Sequence, residues 1–464
     1  MSILKQIEKD SGILNLKYKG ESIWPVLRLK SYYKYEAKQK GTVNRTRELN
    51  FNAVWVIFKS FFYGTHEFFN LSQFDYLVFS GSERRKRYND LYHERVVEGF
   101  LASTKSLLIE NPFPLGKHYK KDEIPTKHIM SESILYLGVF VLGFLGFKMS
   151  KLENEHIIKD IQQEYGYEIN YNRFLLIYEG QYRLFKLILK YFKKPKAVFF
   201  VYSASSMGYI KALKEFNIPV VEIQHGVVNK EHNAYNVYGD FGRKFFPDYF
   251  LTYGNREMEV FQNPENYFID PKNVMPVGYY LLDQYLNNQT GNHEDYITSL
   301  RKNYKKIVVY THQEVYENEI LDFLIESAKL SNDIVYLLIP RNDLKVQPEG
   351  MPDNLIVETK LNIYDCLRFS DIHSTIFSTC AIEALSYGVP NVMYNYQNWS
   401  KSYYEEIFND KRHTVFIESP YEFVDVILSH HFESKAYIEA ASDQFFKRNF
   451  LQNMESFMES EIKA

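Results

Sequence analysis

The chain has 464 residues, of which 45% are hydrophobic and 24% are charged, and it contains two cysteines. This length predicts more than one domain, most simply two. A formal net charge of −3 excludes a general attraction for nucleic acid, and two cysteines are too few for a disulfide scaffold. Residues 1–30 carry charged side chains throughout and lack the apolar segment of a secretory signal, so we expect a cytoplasmic protein.

The first pattern of a buried strand lies at residues 74–80. Its apolar residues follow one another without alternation, as in strands covered on both faces, and Gly81 comes directly after it. An apolar helix pattern then begins at Leu91, and this order predicts the first unit of a doubly wound α/β sheet. The basic run in between contains Arg84, Arg85 and Arg87. These arginines either bind a phosphate of an acceptor substrate, which is our prediction, or belong to a solvated loop.

An unbroken apolar run covers residues 134–147. It is shorter than the roughly 20 residues that a membrane-spanning helix needs. The run is either a buried core helix or an apolar helix that docks on the surface of a bilayer. Lysines on both sides of the run suit an anionic lipid surface and would place the protein at the inner face of the membrane. These lysines are Lys117, Lys120, Lys121, Lys127, Lys148 and Lys151.

His225 follows a predicted buried strand at residues 218–223. The carboxyl end of a parallel strand faces the ligand side of a doubly wound sheet. A neutral imidazole there is suited to accept a proton near pH 7, and Gly226 allows the backbone to approach whatever His225 contacts. The alternative is a structural histidine bonded to a neighbouring loop. We interpret His225 as a catalytic base, with Gln224 and Gly226 as parts of an acceptor site.

A polar segment at residues 287–295, with the sequence NNQTGNHED, is the strongest linker signal in the chain. A second series of strands and helices begins after it. His312 follows the predicted strand at residues 306–310, and Arg341 follows the one at residues 334–339. Both residues are therefore expected on the ligand side of a second sheet.

The predicted domains are residues 1–285, residues 286–440 and a terminal helix at residues 441–464. The first is expected to be Rossmann-like, with a helical extension at its amino end. The second contains the new series of strands and helices, and the terminal helix follows it.

Ser378 and Thr379 precede a short predicted helix that ends at Gly388 and Pro390. Serine and threonine favour the N-cap, glycine suits the residue after the helix, and proline prevents its continuation. The start of such a helix presents free backbone N–H groups and the positive end of the dipole, which together favour a phosphate group. Glu383 lies one turn inside the helix, within reach of ribose hydroxyl groups. The alternative is an ordinary capped helix with a surface glutamate.

Two motifs carry a resemblance to a known family. In residues 370–390, Ser-Asp is followed by hydroxyl residues, Glu-Ala-Leu and Gly-x-Pro, and residues 224–226 form Gln-His-Gly. The combination resembles GT-B glycosyltransferases that build bacterial capsule and teichoic-acid-type polymers, and the related UDP-GlcNAc 2-epimerases. The resemblance implies an α/β fold with two Rossmann-like domains facing across a cleft, and a C-terminal helix that crosses back.

The resemblance also implies that residues 1–285 form the acceptor domain, that residues 286–440 form the nucleotide-sugar donor domain, and that the helix at residues 441–464 packs back on the first domain. It implies roles for residues of the second domain as well. Ser378 and Thr379 would hold the donor diphosphate, and Glu383 would hold the donor ribose. The turn that contains His312 resembles the turn of the 2-epimerases that faces the donor phosphates. Arg341 stands where related capsule enzymes often have a His-Pro pair, and we assign it to the donor site as well.

The chain departs from two patterns of this family. Retaining enzymes of the commonest class have two glutamates separated by seven residues, and Thr375 occupies the first of these positions. No Asp-x-Asp pair occurs in the chain, and such a pair usually holds the divalent metal on a donor diphosphate. We therefore predict an inverting, metal-independent transferase without a cofactor, in which helix N-termini and cationic side chains bind the diphosphate.

The predicted function is transfer of a sugar from a nucleotide-sugar donor to a surface glycan or a lipid-linked acceptor, with peripheral membrane association and no nucleic-acid partner. One alternative is a nucleotide-sugar isomerase similar to the 2-epimerases. The other is a non-catalytic subunit of a polysaccharide assembly machine.

Overall fold

The computed structural model describes residues 3–9, 11–39, 51–113, 116–147, 151–287, 294–340, 344 and 350–462. The chain divides into two compact units. The first unit consists of Met1–Leu281 and Lys447–Ala464, and the second consists of Leu282–Phe446. Each unit has its own parallel sheet and its own hydrophobic core.

The helices and strands up to the end of the first sheet are, in chain order, α1 (Ile3–Lys9), β1 (Lys17–Tyr18), β2 (Glu21–Ser22), α2 (Trp24–Gln39), α3 (Phe51–Phe61), α4 (His66–Phe69), β3 (Tyr76–Gly81), β4 (Arg85–Tyr88), β5 (Leu91–Glu94), α5 (Glu98–Ser103), β6 (Ser106–Asn111), β7 (Ile129–Ser131), α6 (Ser133–Phe147), β8 (Leu152–Glu153), α7 (His156–Tyr165), α8 (Tyr171–Tyr191), β9 (Ala197–Phe200), α9 (Met207–Glu215), β10 (Val220–Ile223), β11 (Tyr249–Thr252), α10 (Met258–Phe261) and β12 (Val274–Pro276).

The first unit is built on a seven-stranded sheet with the order β12-β11-β10-β9-β3-β6-β7. Every neighbouring pair in it is parallel. Numbered along the chain, the strands stand in the order 3-2-1-4-5-6-7, so the direction of strand addition reverses between β3 and β9. In a doubly wound sheet, ligands bind beyond the carboxyl ends of the strands at such a reversal point.

Aromatic side chains fill the core on one face of this sheet. Phe79 of β3 stacks on Phe200 of β9 with ring centroids 4.8 Å apart, and Tyr209 of α9 packs on Phe79 at 5.5 Å. Phe185 of α8 contacts the Tyr209 ring at 4.4 Å. This packing fixes β3 and β9, and therefore the reversal point, against two helices.

Residues 85–94 differ from the sequence prediction. The apolar pattern from Leu91 predicts a helix, but β4 and β5 form an antiparallel hairpin, and α5 begins only at Glu98. The turn residues Asn89 and Asp90 have φ angles of 46° and 66°. A two-residue hairpin turn requires this left-handed conformation, which Asn and Asp tolerate better than other side chains.

Helix α6 contains the apolar run that the sequence analysis identified. One of its faces is buried through Leu135 and Val139 and packs on α8. Glycines allow the two helices to come close, since Gly143 lies against the backbone of Leu176 and Gly180 against that of Val139. No helix in the described part of the chain is long and apolar enough to cross a bilayer.

We expect Gly180→Ala to lower the free energy of unfolding by about 1–3 kcal/mol, the usual effect of overpacking. A methyl group on Gly180 would collide with the carbonyl oxygen of Val139, which is backbone and cannot move alone. Gly138→Ala on α6 is the matched control, because its methyl group would meet only the mobile tip of Leu184. Urea unfolding of both variants measures the difference, and an equal effect would contradict the tight helix contact.

The remaining elements are α11 (Tyr280–Asn287), α12 (Glu294–Leu300), β13 (Lys306–Thr311), α13 (Glu317–Leu330), β14 (Ile334–Ile339), β15 (Leu355–Val357), α14 (Ile363–Phe369), β16 (Ile372–Ser374), α15 (Cys380–Leu385), β17 (Asn391–Tyr394), α16 (Trp399–Tyr404), β18 (Thr414–Ile417), α17 (Pro420–Ser429), α18 (Lys435–Ser442) and α19 (Phe450–Glu461).

The second unit has a six-stranded sheet with the order β15-β14-β13-β16-β17-β18, again with every neighbouring pair parallel. Numbered along the chain this is 3-2-1-4-5-6, the strand order of the Rossmann fold, with the reversal point between β13 and β16. The predicted fold class, two Rossmann-like doubly wound α/β units, is confirmed.

A chain of buried hydrogen bonds holds the second reversal point together. His373 of β16 bonds through Nε2 to the Thr311 hydroxyl at 3.0 Å and through Nδ1 to Asn391 Oδ1 at 2.7 Å. Asn391 Nδ2 donates to the Ala381 carbonyl of α15 at 2.8 Å. Burial lowers the pKa of His373 to about 4, so a neutral imidazole ties three strands and α15 together.

The terminal helix α19 belongs to the first unit. Phe457 packs edge-on against Tyr249 of β11 at 5.4 Å, and Phe450 packs against Tyr280 at 5.9 Å. The backbone N–H of Lys447 donates to the Tyr253 carbonyl at 2.8 Å. The terminal helix therefore packs on the first unit.

Candidate functional site

His225 lies just beyond the carboxyl end of β10, two strands from β3 at the first reversal point. The Tyr235 hydroxyl stands 3.2 Å from His225 Nδ1. The ring of Tyr202, which follows β9, meets the imidazole edge-on with centroids 5.5 Å apart. His225 is half-buried, so the imidazole is held in place at the edge of the sheet where a ligand would bind.

The surroundings of His225 favour its neutral form. Burial lowers its pKa well below the usual value, and the positive charges of Arg84 and Arg95 and the nearby His232 lower it further. The imidazole is therefore uncharged at neutral pH, the form that can accept a proton. Arg84, in a single helical turn after β3, is the predicted acceptor arginine that the structure brings to His225.

Arg95 adds a second cation at this edge. Its Nη2 donates to the backbone carbonyl of His225 at 2.9 Å. Glu94 fixes the turn around it by accepting hydrogen bonds from the backbone N–H groups of Val96 and Val97 at 2.8 and 2.6 Å. No sequence signal separates Arg95 from the other arginines, because its importance comes from a contact with a residue 130 positions away.

Arg87 is placed differently from Arg84. It lies on the hairpin strand β4, its side chain is 68% exposed, and its Nη2 donates to Asp90 Oδ1 at 2.8 Å. Arg84 is one of the charged groups that lower the pKa of His225, and Arg87 is not among them. A role for Arg87 in acceptor binding stays a prediction.

Gln224 supports the loop instead of presenting its amide to solvent. It is only 1% exposed. Its Nε2 donates to the Gly226 carbonyl at 2.8 Å and to Glu257 Oε1 at 3.1 Å, and its Oε1 accepts from the Tyr253 backbone N–H at 2.6 Å. The space beside the Gly226 Cα is open, as expected where a substrate approaches the backbone. A direct contact from the Gln224 side chain to an acceptor would require breaking these bonds.

Three buried glutamates at this edge are absent from the sequence prediction. They are Glu132 after β7, Glu222 within β10 and Glu257 after β11. Burial raises the pKa of each to about 7. The signal for Glu222 was present in the sequence, since a carboxylate inside an otherwise apolar strand is rarely buried without a partner.

Polar groups also collect at the second reversal point. Gln313, after β13, donates through Nε2 to Thr375 Oγ1 at 2.6 Å. Thr375, after β16, donates to the Thr311 carbonyl at 2.9 Å, and its hydroxyl lies 3.4 Å from the backbone N–H of Ser378. These contacts join the ends of β13 and β16, so their hydroxyl and amide groups share one edge.

Ser378 and Thr379 open α15, but only Ser378 acts as a cap. Thr379 has helical φ and ψ angles and makes no side-chain capping bond. The Ser378 hydroxyl instead accepts from the Cys380 backbone N–H at 3.3 Å. The prediction of two capping hydroxyls is therefore wrong for Thr379, because its backbone already has the helical conformation.

The end of α15 is as the sequence predicts. Gly388 has a φ of 67°, and the backbone N–H groups of Gly388 and Val389 donate to the Leu385 and Ala384 carbonyls at 2.9 and 3.1 Å. This is the Schellman arrangement that glycine favours. Glu383, on the same helix, is only 7% exposed.

Of the other two predicted donor residues, His312 and Arg341, the structure describes only His312. His312 is buried, and its Nε2 lies 3.5 Å from Oε2 of the buried Glu317. Arg341 lies outside the described residues, so its predicted role is not located. Among the residues that the structure describes, no group of three His, Cys, Asp or Glu side chains is placed to hold a metal ion.

A polar recess at the carboxyl edge of the second sheet has no counterpart in the sequence prediction. It is lined by Tyr394, Asn395, Tyr396, Gln397, Asn398 and Glu418. Gln397 and Asn398 both have positive φ angles, 47° and 64°, which is strained for consecutive residues other than glycine. Asn395 holds this loop by accepting from the Lys401 backbone N–H at 3.1 Å.

No protein-family model matches the chain, and a search of curated proteins returns no significant match. Solved structures similar to the chain include the UDP-GlcNAc 2-epimerase from Neisseria meningitidis bound to UDP-GlcNAc. The two chains are 10% identical with a TM-score of 0.47, and the match covers 84% of this chain and 100% of that one. The glycotransferase of kitacinnamycin matches at 11% identity and a TM-score of 0.48, covering 82% and 97% of the two chains.

The wall teichoic acid polymerase TagF matches at 12% identity and a TM-score of 0.43, covering 82% of this chain and 86% of that one. These structures belong to the two classes of enzyme that the sequence motifs resemble, glycosyltransferases and UDP-GlcNAc 2-epimerases. The fold assignment itself rests on the two observed strand orders.

Proposed function

We propose that the chain is a nucleotide-sugar-dependent glycosyltransferase that acts on a glycan or lipid-linked acceptor. One observation carries the proposal: each of the two Rossmann-like sheets has a group of polar side chains at or beside its reversal point, and the two groups have different chemistry. Hydroxyl and amide side chains stand at the second, and an imidazole with two arginines stands near the first. A transferase needs both a phosphate site and a base.

The donor site belongs to the second unit in this proposal. Hydroxyl and N–H donors around Ser378 and Thr379 bind the donor diphosphate, because such groups pair well with phosphate oxygens. Glu383 accepts from the ribose hydroxyls, and His312 and Arg341 complete the site. The absence of an Asp-x-Asp pair from the sequence supports binding without a metal ion.

The acceptor site belongs to the first unit. His225 removes the proton of the acceptor hydroxyl as its oxygen attacks the anomeric carbon and the nucleoside diphosphate leaves, which inverts the configuration at that carbon. Arg84 and Arg95 bind an anionic group of the acceptor, with Arg87 as a further candidate. The open space beside Gly226 gives the acceptor access to the loop.

A screen with radiolabelled CDP-, CMP-, UDP- and GDP-sugars, with and without EDTA, tests the proposal. We expect sugar to pass to water or to a glycan or lipid acceptor, with the same rate in EDTA. Interconversion of one nucleotide sugar into another would identify an isomerase, and binding without turnover would identify a non-catalytic subunit. A bound donor should raise stability by RT ln(1 + [L]/Kd), about 2.7 kcal/mol at a hundredfold excess.

The proposal includes docking on an anionic membrane surface. Helix α6 leaves one face exposed through Leu137, Val141, Phe144 and Leu145. Helix α3 packs on α6 and also exposes large apolar side chains, namely Val54, Trp55 and Phe58, and Phe62 directly after the helix is exposed as well. We call these eight side chains the α3–α6 surface. Trp and Phe favour the interface between lipid and water.

Lysines beside the α3–α6 surface indicate an anionic lipid as its partner. Lys59 lies on α3, 5.0 Å from the ring of Trp55. The loop after β6 is held against the end of α3 by the Tyr63 hydroxyl, which donates to the Tyr119 carbonyl at 2.9 Å, and it carries the exposed Lys120 and Lys121. Apolar side chains flanked by lysines match the chemistry of an anionic bilayer.

We expect the protein to sediment with vesicles of phosphatidylglycerol and phosphatidylcholine at low salt. A variant with Trp55→Ala, Phe58→Ala and Phe62→Ala should bind at least about tenfold more weakly, since burial of each ring is worth about 1.5–3 kcal/mol. Tyr421→Ala with Leu428→Ala, at exposed apolar positions of α17, is the matched control. Failure of the unmodified protein to sediment at low salt, where charge attraction is strongest, would contradict membrane docking.

A further inference from the structure

The helices before the first sheet contain a buried ion pair that the proposed transfer does not use. Arg28 of α2 and Glu8 of α1 are 1% and 3% exposed, and Arg28 Nε donates to Glu8 Oε1 at 2.7 Å. The same oxygen accepts from Trp24 Nε1 at 3.0 Å. Taking two charges out of water is costly, so a buried ion pair often adds no stability over apolar side chains of similar volume. The pair is better explained by the groups that it holds in place.

The remaining donors of Arg28 hold one loop, residues 229–238, which contains neither helix nor strand. Nη1 donates to the Asn233 carbonyl at 2.6 Å, and Nη2 donates to the Asn236 carbonyl at 2.6 Å. These two carbonyls lie on either side of Tyr235. Because a guanidinium is planar and its N–H groups have fixed directions, Arg28 sets the separation of the two carbonyls and therefore the course of the chain between them.

Other contacts hold the same loop at its end and at its centre. The backbone N–H of Tyr238 donates to Glu8 Oε2 at 2.9 Å. Asn266 Nδ2 donates to the Tyr235 carbonyl at 2.9 Å, and the Tyr235 ring packs against Phe250 of β11 with centroids 5.1 Å apart. The loop is therefore fixed from one side by α1 and α2 and from the other by residues at the sheet.

Tyr235 is the residue of this loop that contacts the proposed site. Its hydroxyl lies 3.2 Å from His225 Nδ1, where either atom can be the donor. A hydrogen bond is lost beyond about 3.6 Å, so a small displacement of the loop would release the imidazole. Direct hydrogen bonds thus connect Arg28 to the loop and the loop to His225.

We propose that Arg28 is a positioning residue of the acceptor site. By fixing the carbonyls on either side of Tyr235, Arg28 keeps the Tyr235 hydroxyl against Nδ1 and holds the imidazole of His225 in one orientation. Helices α1 and α2 then form part of the support of the site. Arg28 itself contacts no substrate. Its effect on catalysis rests on the proposed role of His225, whereas its effect on the imidazole does not.

Arg28→Lys is the variant that tests the inference. Lysine keeps a positive charge beside Glu8, but it has one nitrogen in place of three and cannot bridge both carbonyls and the carboxylate in a fixed geometry. Glu21→Gln is the matched control. Glu21 of β2 also joins this part of the chain to the rest of the unit, through Lys211 at 2.5 Å and Lys244 at 2.6 Å, and these bonds do not involve the 229–238 loop.

The first readout is the NMR spectrum of the full chain with ring-labelled histidine, in which the His225 signals are assigned by their loss in His225→Gln. Tyr235→Phe gives the shifts that result when the hydroxyl is absent. We expect Arg28→Lys to move the His225 signals in the same direction as Tyr235→Phe. Glu21→Gln should leave them in place. The double variant of Arg28→Lys and Tyr235→Phe should match Tyr235→Phe alone.

A folded Arg28→Lys protein with unchanged His225 signals would overturn the inference, as would a double variant whose shifts are the sum of the two single ones. If Arg28→Lys does not fold, Glu8→Gln decides the question. Its amide replaces one acceptor oxygen with a donor, so it cannot satisfy Trp24, Arg28 and Tyr238 together. The same direction of shift is expected, and unchanged signals in folded Glu8→Gln would equally overturn the inference.

Activity supplies a second readout once a donor and an acceptor are known. Arg28→Lys should lower kcat by about tenfold or more with an unchanged donor Kd, the upper limit being the 10²–10⁴-fold worth of a general base. Effects within one hydrogen-bond network are not additive, so Arg28→Lys should cost less than about twofold more in the Tyr235→Phe background. Glu21→Gln should keep kcat near normal.

The two readouts separate this inference from the proposed function. A normal kcat in Arg28→Lys would contradict a positioning role in catalysis. An unmodified protein without transferase activity would contradict the proposed function alone, because the histidine spectrum needs no substrate.

Discussion

His225→Ala is expected to lower kcat by about 10²–10⁴-fold, the usual contribution of a general base. Burial and the charges of Arg84 and Arg95 keep the imidazole neutral at the pH of the reaction, and Tyr235 fixes its orientation. The donor Kd should change little, because the donor residues of our proposal belong to the second unit. Single-turnover kinetics with the donor found in the screen, and titration calorimetry for its binding, measure the two quantities separately.

His225→Gln and His430→Ala are the controls for this prediction. Glutamine preserves a hydrogen-bonding side chain next to Tyr235 but cannot take the proton, so it should be as slow as alanine. His430 is a partly exposed histidine of the second unit, and its loss should leave kcat unchanged. A His225→Gln enzyme with near-normal kcat would show that His225 positions the substrate, and a parallel loss of rate and donor affinity would exclude the base assignment.

The sheets were predictable because parallel strands that are covered on both faces consist of apolar runs. Residues 197–200 and 306–311 have such runs, and their polar neighbours mark the carboxyl ends. The strand order, which fixes the reversal points, could not be derived from these patterns. It depends on contacts such as β3 with β9, whose strands are more than a hundred residues apart in the chain.

The basic run after β3 shows where sequence reasoning was insufficient. Arg84 and Arg87 look alike in the sequence, yet Arg84 acts on His225 and Arg87 is exposed. Arg85, between them, is fully buried and binds Glu110 at 2.6 Å and Glu98 at 3.4 Å. Arg84 ends the single helical turn before β4, Arg85 begins β4, and Arg87 lies further along the hairpin towards its turn.

The sequence did not reveal all of the groups around His225, because some of their contacts join segments that are far apart in the chain. A histidine after an apolar strand is visible in a sequence, and Tyr235 lies only 10 residues further along, but Arg95 comes from a segment 130 residues away. Glu222 alone was conspicuous, as a charge within an apolar strand. In the second unit the hydroxyl-rich segment was visible, whereas the tie from Gln313 to Thr375 depends on the pairing of β13 with β16.

Replacing Ser378 and Thr379 together by valine is expected to weaken nucleoside diphosphate binding by about 10²–10⁴-fold. The two hydroxyls would each lose a hydrogen bond to a charged phosphate oxygen, worth about 1.5–3 kcal/mol apiece. The fold should persist, because the cap made by Ser378 is one bond of 3.3 Å to Cys380, and the loss of such a cap costs about 1 kcal/mol. Titration calorimetry with UDP, CDP and GDP measures the affinity.

Ser434→Val separates a loss of binding from a loss of helix capping. Ser434 caps α18 in the same unit by accepting from the Tyr437 backbone N–H at 3.4 Å, but it does not stand at the reversal point of the sheet. Its replacement should lower the free energy of unfolding about as much as Ser378→Val while leaving the nucleotide affinity unchanged. Unchanged affinity in a folded Ser378→Val, Thr379→Val double variant would remove these residues from the donor site and leave Gln313, Thr375 and the recess around Asn395 as the remaining polar groups at that edge.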